Sequence, residues 1–130
     1  MTIDPKKAKQ MADAYTAAWN SGSAQAVAEF YAKDGGIIIN RGEPWQGRDR
    51  VAQMAAGFFS DVPDIKIVCD GLRCAGDHVV YLWTFTGTHA GTKRPLRVSG
   101  WEEWDLDPDY RVKASHGWYD ADDYTRQTGG

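Results

Sequence analysis

Residues 98–127 read VSGWEEWDLDPDYRVKASHGWYDADDYTRQ, and this stretch predicts two β-strands joined by a tight turn. The turn is DPDY at residues 107–110, because Asp suits the first position and Pro, with its fixed φ, the second. The fourth position of such a hairpin often has a positive φ, which favours Gly, so Tyr110 departs from the usual pattern. A three-residue loop would place Asp107 opposite Arg111.

This register predicts one mainly apolar face that also carries three ionisable groups, since side chains alternate along a strand. Glu102 would lie directly opposite His116. Ionisable groups on an apolar face are costly unless they are paired or used, so Glu102, His116 and Asp120 are candidate functional residues. The predicted face consists of Glu102, Trp104, Leu106, Val112, Ala114, His116, Trp118 and Asp120.

Length and charge limit the class of protein. The 130 residues predict one domain, 1–130, with a single core. Fifteen basic and 18 acidic residues give a net charge of −3 with no basic run, so we expect no nucleic-acid partner. No apolar run approaches ~20 residues, and the N-terminus MTIDPKKAKQ lacks an apolar signal core. We therefore expect no membrane partner and a cytoplasmic location.

Motifs for cofactors and metals are absent from the sequence. Cys69 and Cys74 are too few for a disulfide framework, and no Cys/His pair has zinc-site spacing. There is no Gly-rich phosphate loop and no Ser-His-Asp order. Residues 48–50, Arg-Asp-Arg, fit a solvated first turn of a helix. We expect neither a cofactor nor a metal.

The order of predicted elements indicates an α+β fold, with helices on one face of a curved sheet. Asp4 and Pro5 begin the first helix, which ends near residue 20. Ser23 caps a second, short helix that includes Phe30 and Tyr31 and is broken at Gly35-Gly36. The remaining predictions are a short strand at 37–39, a helix at about 48–59, strands at about 65–74, 78–89, 95–106 and 111–120, and a tail at 121–130.

This order resembles the nuclear transport factor 2-like superfamily, and within it the SnoaL-like polyketide cyclase and ketosteroid isomerase group. The resemblance implies a cone, also described as a cystatin-like roll: a strongly curved, mixed or antiparallel sheet wraps around three N-terminal helices and leaves a deep pocket. It also implies homodimers through the outer sheet face. The scaffold hosts isomerases, cyclases, hydratases, epoxide hydrolases and binding domains. The motifs are YTAAWNSG (15–22), FYAKDG (30–35), WQGRDRV (45–51), TFTGTHAG (84–91) and YDADDYTRQTGG (119–130).

Site residues follow from the resemblance one at a time. Tyr15 matches the tyrosine that donates to the oxyanion in the isomerases, and Glu102 matches their protonated aspartate. Their general base falls at Ile39, next to Asn40, and neither side chain can abstract a proton. Asp120 matches the acid/base of the cyclases. The epoxide hydrolases need an inward-facing arginine in an Asp-Arg-Asp set, and no arginine has an inward register.

Each candidate also has a structural interpretation. Asp120 is either an acid/base whose pKa is raised by desolvation, or a cap for backbone N–H groups. His116 is either a second acid/base or a core histidine satisfied by Glu102. Tyr15 either donates into the pocket or packs the helix. His116 and Asp120 lie four residues apart, about 13 Å along a strand, so they cannot form a direct dyad.

Alternation along the second long strand predicts its two faces. Tyr81, Trp83 and Phe85 should face the pocket, although they could instead fill the core. The alternating residues on the other side would form a flat outer face that a second copy covers. The further residues predicted to bind ligand are Trp45, Met54, Phe58, Trp104 and Trp118, and those of the outer face are Val80, Leu82, Thr84, Thr86 and Thr88.

The sequence therefore favours a small-molecule pocket protein. We expect a cofactor-free acid/base isomerase, cyclase or dehydratase that acts on a small hydrophobic ligand bearing a carbonyl or hydroxyl group. Asp120 would be the acid/base, and His116, Glu102 and Tyr15 would orient the ligand or stabilise charge. The alternatives are a non-catalytic ligand-binding module and a dimerisation module on the same scaffold.

Overall fold

The structure, a computed structural model, describes residues 2–129 and contains four α-helices and six β-strands in that range. The helices are α1 (Pro5–Asn20), α2 (Ala24–Ala28), α3 (Arg48–Asp61) and α4 (Ala121–Gln127). The strands are β1 (Tyr31–Ile39), β2 (Trp45–Gln46), β3 (Lys66–Ala75), β4 (His78–Thr88), β5 (Pro95–Leu106) and β6 (Val112–Tyr119).

The six strands form one curved, unclosed mixed sheet, in the order β2-β1-β6-β5-β4-β3. β1 and β6 run parallel, and the other neighbours run antiparallel. The predicted α+β class is confirmed, and the four long strands begin and end within one or two residues of the predicted positions. No helix within residues 2–129 combines the length and the apolar character that crossing a membrane requires.

The predicted helix starts are confirmed by side-chain caps. Asp4 Oδ1 accepts from the Lys6 N–H at 3.0 Å, and Ser23 Oγ accepts from the Ala26 N–H at 3.1 Å. The extent of α2 was predicted wrongly. Tyr31 begins β1 and lies opposite Val112 of β6, because strand pairing overrides the local helical pattern.

The Gly35-Gly36 pair does not end an element, as the sequence suggested, but lies inside β1. A Cβ on Gly35 would collide with the backbone oxygen of Val112, and one on Gly36 would collide with that of Trp45. These glycines therefore let β1 fit between its two neighbouring strands. The predicted tail was also wrong, because α4 occupies most of it; Gly130 lies outside the described residues.

The turn of the β5–β6 hairpin has the predicted form. The Asp107 N–H donates to the Arg111 carbonyl at 2.9 Å, and Asp107 Oδ1 accepts from the backbone N–H groups of Asp109 and Arg111. Tyr110 has a φ of 61°, the left-handed conformation that this position was predicted to need.

The register beyond the turn was predicted wrongly. Leu106 lies opposite Val112 as expected, but Asp105 then lies opposite Ala114, so Lys113 is an extra residue in β6. A bulge of one residue moves the following side chains to the opposite face. Glu102 and Trp104 consequently face Gly117 and Ser115, whereas Ala114, His116 and Trp118 belong to the other face.

The core lies between the helices and the concave face of the sheet. Tyr15 of α1 meets Tyr81 of β4 and Trp104 of β5, and all three side chains are buried. The buried Trp19 of α1 meets Phe58 and Phe59 of α3. Trp104 stacks on Tyr81 with the ring centroids 4.9 Å apart, and Tyr15 meets Trp104 edge-on at 5.2 Å. Aromatic pairs at these distances stabilise the core beyond the area that they bury.

Gly100 allows the Trp118 backbone of β6 and the Trp83 ring of β4 to approach β5 closely, and any side chain at this position would prevent that. A Cβ there would collide with the backbone oxygen of Trp118 and lie 2.7 Å from Trp83 Cζ2. We predict that Gly100→Ala lowers the free energy of unfolding by about 1–3 kcal/mol, measured by urea denaturation. Gly57→Ala is the matched control, since a Cβ at this exposed helical glycine meets nothing within 4 Å. It should raise stability by up to about 1 kcal/mol; equal effects of the two changes would contradict the prediction.

Candidate functional site

Glu102 projects from the concave face of the sheet and is buried there. It accepts hydrogen bonds from four side chains in the described structure. Tyr15 Oη lies 3.1 Å from Oε1 and 3.0 Å from Oε2. Tyr31 Oη, Trp104 Nε1 and Ser115 Oγ lie 3.2, 2.9 and 3.0 Å from Oε1. Tyr15 Oη and Tyr31 Oη also contact each other at 3.1 Å. One carboxyl group is thus held by donors from four separate elements.

The local structure explains why these side chains meet. Glu102 and Trp104 are two residues apart on β5 and so point to the same face. Tyr15 projects from the buried side of α1, and Tyr31 is the first residue of β1. Ser115 reaches Glu102 only because the extra residue in β6 turns it inward. The bulge that breaks the predicted Glu102–His116 pair therefore supplies a donor in its place.

The ionisation of Glu102 is set by two opposing effects. Burial raises the pKa of Glu102 above its ordinary value of 4.5, and the hydrogen bonds from Trp104, Tyr15, Ser115 and Tyr31 oppose that rise. No ion pair joins Glu102 to a Lys, Arg or His in residues 2–129. Burial, and then the charge of Glu102, raises the pKa values of Tyr15 and Tyr31 well above 10.0, so both phenols stay protonated donors.

A largely apolar cavity extends from Glu102. The space open to the centre of a water molecule is about 50 Å³, several times what one water needs. Gly117 leaves room beside the carboxyl group, because a Cβ there would lie 3.9 Å from Glu102 Cγ and 3.4 Å from Ile37 Cδ1. The described lining residues are Trp19, Ile37, Ile39, Met54, Phe58, Ile65, Ile67, Tyr81, Trp83, Phe85, Glu102, Gly117, Trp118 and Tyr119.

Most of the residues predicted to bind ligand lie at this cavity. Met54, Phe58, Tyr81, Trp83 and Phe85 line it, and Trp118 also contacts it near the end of β6, although its register places its side chain on the other face. The indole N–H of Trp118 is buried and has no hydrogen-bond partner in the described structure.

Two predicted ligand-binding tryptophans lie away from the cavity wall. Trp104 is fully buried behind Tyr81 and contacts Glu102. Trp45 is half-buried on β2 beneath the Arg50 guanidinium, 5.3 Å from its ring centroid. These two side chains support the site or the sheet rather than the cavity surface.

The predicted positions of His116 and Asp120 were wrong. His116 is exposed and lies opposite Glu103, on the face of the sheet away from the cavity, because the bulge reverses its direction. Asp120 is exposed and caps α4, where its Oδ1 accepts from the Asp123 N–H at 3.0 Å. The structure thus matches the capping interpretation of Asp120 and places neither residue in the cavity.

Two residues of the site were not found from the sequence. Tyr31 was assigned to a helix, and Ser115 was not singled out, since its neighbours Ala114 and His116 were predicted to face inward. A signal for Tyr31 exists in the glycines at 35 and 36, which are needed where strands approach closely. No comparable signal exists for Ser115, since its direction depends on a bulge. Among residues 2–129, no group of three or more His, Cys, Asp or Glu side chains is arranged to hold a metal ion.

The curved sheet with helices packed on its concave face defines the ketosteroid isomerase-like class of the nuclear transport factor 2-like fold. A protein of this fold from Catenulispora acidiphila, in complex with trimethylamine, is 20% identical over 92% of each chain, with a TM-score of 0.84. The epoxide hydrolase/cyclase-like enzyme SalBIII, which has a role in pyran ring formation in the polyether salinomycin, is 15% identical over 92% of this chain and 95% of its own (TM-score 0.81). A protein from Jannaschia sp. assigned as a SnoaL-like polyketide cyclase is 17% identical over 94% of each chain (TM-score 0.78).

The family follows from the sequence itself. The model of the SnoaL-like domain matches residues 12–114, so this chain belongs to the SnoaL-like domain family. None of the curated proteins matches the sequence. The predicted resemblance is therefore confirmed for the family and the fold.

The raised pKa of Glu102 predicts a pH-dependent stability. Above pH 4.5 the unfolded chain releases this proton first, so the free energy of unfolding falls as pH rises toward the higher pKa of the folded state. We predict that wild type loses stability relative to Glu102→Gln over this range, in urea denaturations from pH 4 to pH 8. Glu103→Gln, an exposed neighbour on the other face, is the control. A pH-independent difference between wild type and Glu102→Gln would contradict the prediction.

Proposed function

We propose that this protein binds a small, mainly hydrophobic molecule in the cavity and exchanges a proton with it through Glu102. The ligand would carry a carbonyl or hydroxyl group, and the reaction would be an isomerisation, cyclisation or dehydration without a cofactor. One observation carries the proposal: a buried carboxyl group with a raised pKa lies in the wall of an apolar cavity. A raised pKa brings a carboxyl group toward the range that acid/base catalysis uses.

The hydrogen bonds suggest which oxygen would exchange the proton. Oε1 accepts from Tyr15, Tyr31, Trp104 and Ser115, whereas Oε2 accepts only from Tyr15 among the described residues. A carboxylate oxygen has two lone pairs, so Oε2 keeps capacity for a ligand. Tyr15 and Tyr31, both neutral donors, would stabilise the charge that moves between ligand and carboxylate.

This assignment replaces the base of the isomerases with a group elsewhere in the cavity. Ile39 stands where the resemblance places that base, and it contributes only hydrocarbon to the lining. Glu102 is the one carboxyl group among the described lining residues. The chain belongs to the SnoaL-like domain family, and its structural neighbours include cyclase-like enzymes. Both findings support proton transfer as the class of chemistry.

The proposal predicts catalysed hydrogen exchange. We would incubate a panel of small cyclic ketones with the protein in D₂O and follow deuteration at the α-carbon by NMR. Wild type should accelerate exchange for the ketones that bind, and Glu102→Gln should reduce this rate by about 10²–10⁴-fold, because an amide cannot accept the proton. The Gln side chain can keep its oxygen toward Trp104 and Ser115, so the fold should persist.

Glu103→Gln controls for the loss of one negative charge and should exchange as wild type does. The rival hypothesis is a non-catalytic binding module. Ketones that bind, seen as shifted protein resonances, but exchange equally fast with wild type and Glu102→Gln would favour that module and contradict catalysis.

We also propose a homodimer through the outer face of the sheet. Val80, Leu82 and Thr84 alternate with the cavity-lining residues of β4 and so lie on this face. Val68 and Trp101, on the same face, are 60% and 40% exposed. Large apolar side chains on an open sheet face are typical of a covered surface.

The dimer is testable by sedimentation velocity at micromolar concentration. Wild type should sediment as a dimer, and Trp101→Lys should shift the distribution toward monomer, since it places a charge in the interface. Gln53→Lys, at an exposed position on α3, should leave the dimer intact. A monomeric wild type would contradict the proposal.

A further inference from the structure

The cavity combines one carboxyl group with a lining in which half of the described residues are aromatic. Half of the 14 described lining residues are aromatic, and none of them is Lys, Arg or His. Glu102 supplies the only carboxyl group in that lining. The seven aromatic residues are Trp19, Phe58, Tyr81, Trp83, Phe85, Trp118 and Tyr119.

Glu102 has hydrogen-bond donors but no countercharge. Its four partners, Tyr15, Tyr31, Trp104 and Ser115, are all neutral, and no ion pair reaches it within residues 2–129. Neutral donors satisfy the lone pairs of a carboxylate but leave its net charge in place. A buried charge without a partner is unfavourable, so a positive charge brought in by a ligand would be stabilised here.

The aromatic rings favour the same kind of charge. The faces of Trp, Tyr and Phe rings are electronegative and attract cations, with Trp the strongest of the three. The Trp83 and Phe85 rings lie nearly parallel, 24° apart with centroids 5.9 Å apart, and both line the cavity. Two further contacts hold lining rings in place. Trp104 stacks on the lining ring of Tyr81, and the lining rings of Phe58 and Trp19 meet edge-on.

The lining also selects among cations. A bare ammonium or a guanidinium group needs an acceptor for each of its N–H groups, and Glu102 is the one strong acceptor side chain in the described lining. An ammonium whose hydrogens are replaced by alkyl groups needs few acceptors or none. Its alkyl shell also suits the apolar side chains around it, including Ile37, Ile39 and Met54.

We propose that the ligand of this cavity carries an alkylated ammonium group, held by the Glu102 carboxylate and the aromatic lining. The inference rests on the proposed function only in taking the cavity as a ligand site, and it does not require proton transfer. The same ligand can bear the carbonyl or hydroxyl group of the proposed reaction. A positive charge beside a C–H group would then also favour loss of that proton to Glu102.

Two molecules of equal shape test the charge alone. Choline and its neutral carbon isostere, 3,3-dimethylbutan-1-ol, differ in one atom, so size and burial cancel. In isothermal titration calorimetry at pH 8, choline should bind at least about tenfold more tightly than the isostere. Equal affinities would overturn this inference while leaving the proposed proton transfer intact.

Variants then assign the preference to the residues. Glu102→Gln should weaken choline binding by about tenfold or more and change binding of the isostere by less than about twofold. Glu103→Gln should behave as wild type. Trp83→Leu, which removes a lining ring without touching Glu102, should weaken choline more than the isostere.

The outcomes separate the two proposals. A choline preference that survives in Glu102→Gln would overturn the role of the carboxylate, and with it the inference. If neither molecule binds but cyclic ketones undergo exchange, the cavity is a catalytic site for uncharged ligands and the inference falls alone. If choline, the isostere and the ketones all fail to bind, both proposals fall.

Discussion

The structure depends on one buried carboxyl group and the donors that it requires. A carboxyl group inside a protein must find hydrogen bonds or lose several kcal/mol. Glu102 finds them in Tyr15 of α1, Tyr31 of β1, Trp104 of β5 and Ser115 of β6. Satisfying this single side chain therefore ties the first helix to three strands and sets the inner end of the cavity.

A single extra residue in β6 makes this arrangement possible. Lys113 shifts the register, so that Ser115 turns toward Glu102 and His116 turns outward. The same shift brings Gly117 opposite Glu102, and its missing side chain leaves space beside the carboxyl group. The bulge thus provides a donor and an open volume together. This agrees with the frequent occurrence of bulges next to functional sites.

The fold is shared with the neighbours, but the chemistry of the site depends on the side chains of this chain. The fold hosts several reactions, so function depends on which side chains line the cavity. Ile39, where the resemblance places the isomerase base, lines the cavity with hydrocarbon. The ionisable group is Glu102, which no Lys, Arg or His in residues 2–129 neutralises. Proton exchange and cation binding are both consequences that a buried, uncompensated carboxylate in an aromatic cavity can have.

The sequence by itself determined the family, the order of the long elements and much of the cavity lining. Helix caps, turn residues and alternation are local signals, and they correctly predicted α1, α3, the four long strands and the turn at Asp107. Alternation also predicted the inward direction of Tyr81, Trp83 and Phe85, because β4 pairs regularly with β5 along its whole length.

Only the tertiary structure decided which ionisable groups enter the cavity. The face of the sheet to which a β6 side chain points depends on the strand register. A bulge of one residue moves the side chains beyond it to the opposite face, and no clear sequence signal marks this bulge. Asp120, the leading candidate from the sequence, lies past that point and caps α4 instead. Tyr31 likewise joins the site only because β1 pairs with β6, which lies some 80 residues later in the chain. Long-range pairing is not encoded in the local sequence. It separated Glu102 from its predicted partner His116 and placed Tyr31 and Ser115 beside it instead.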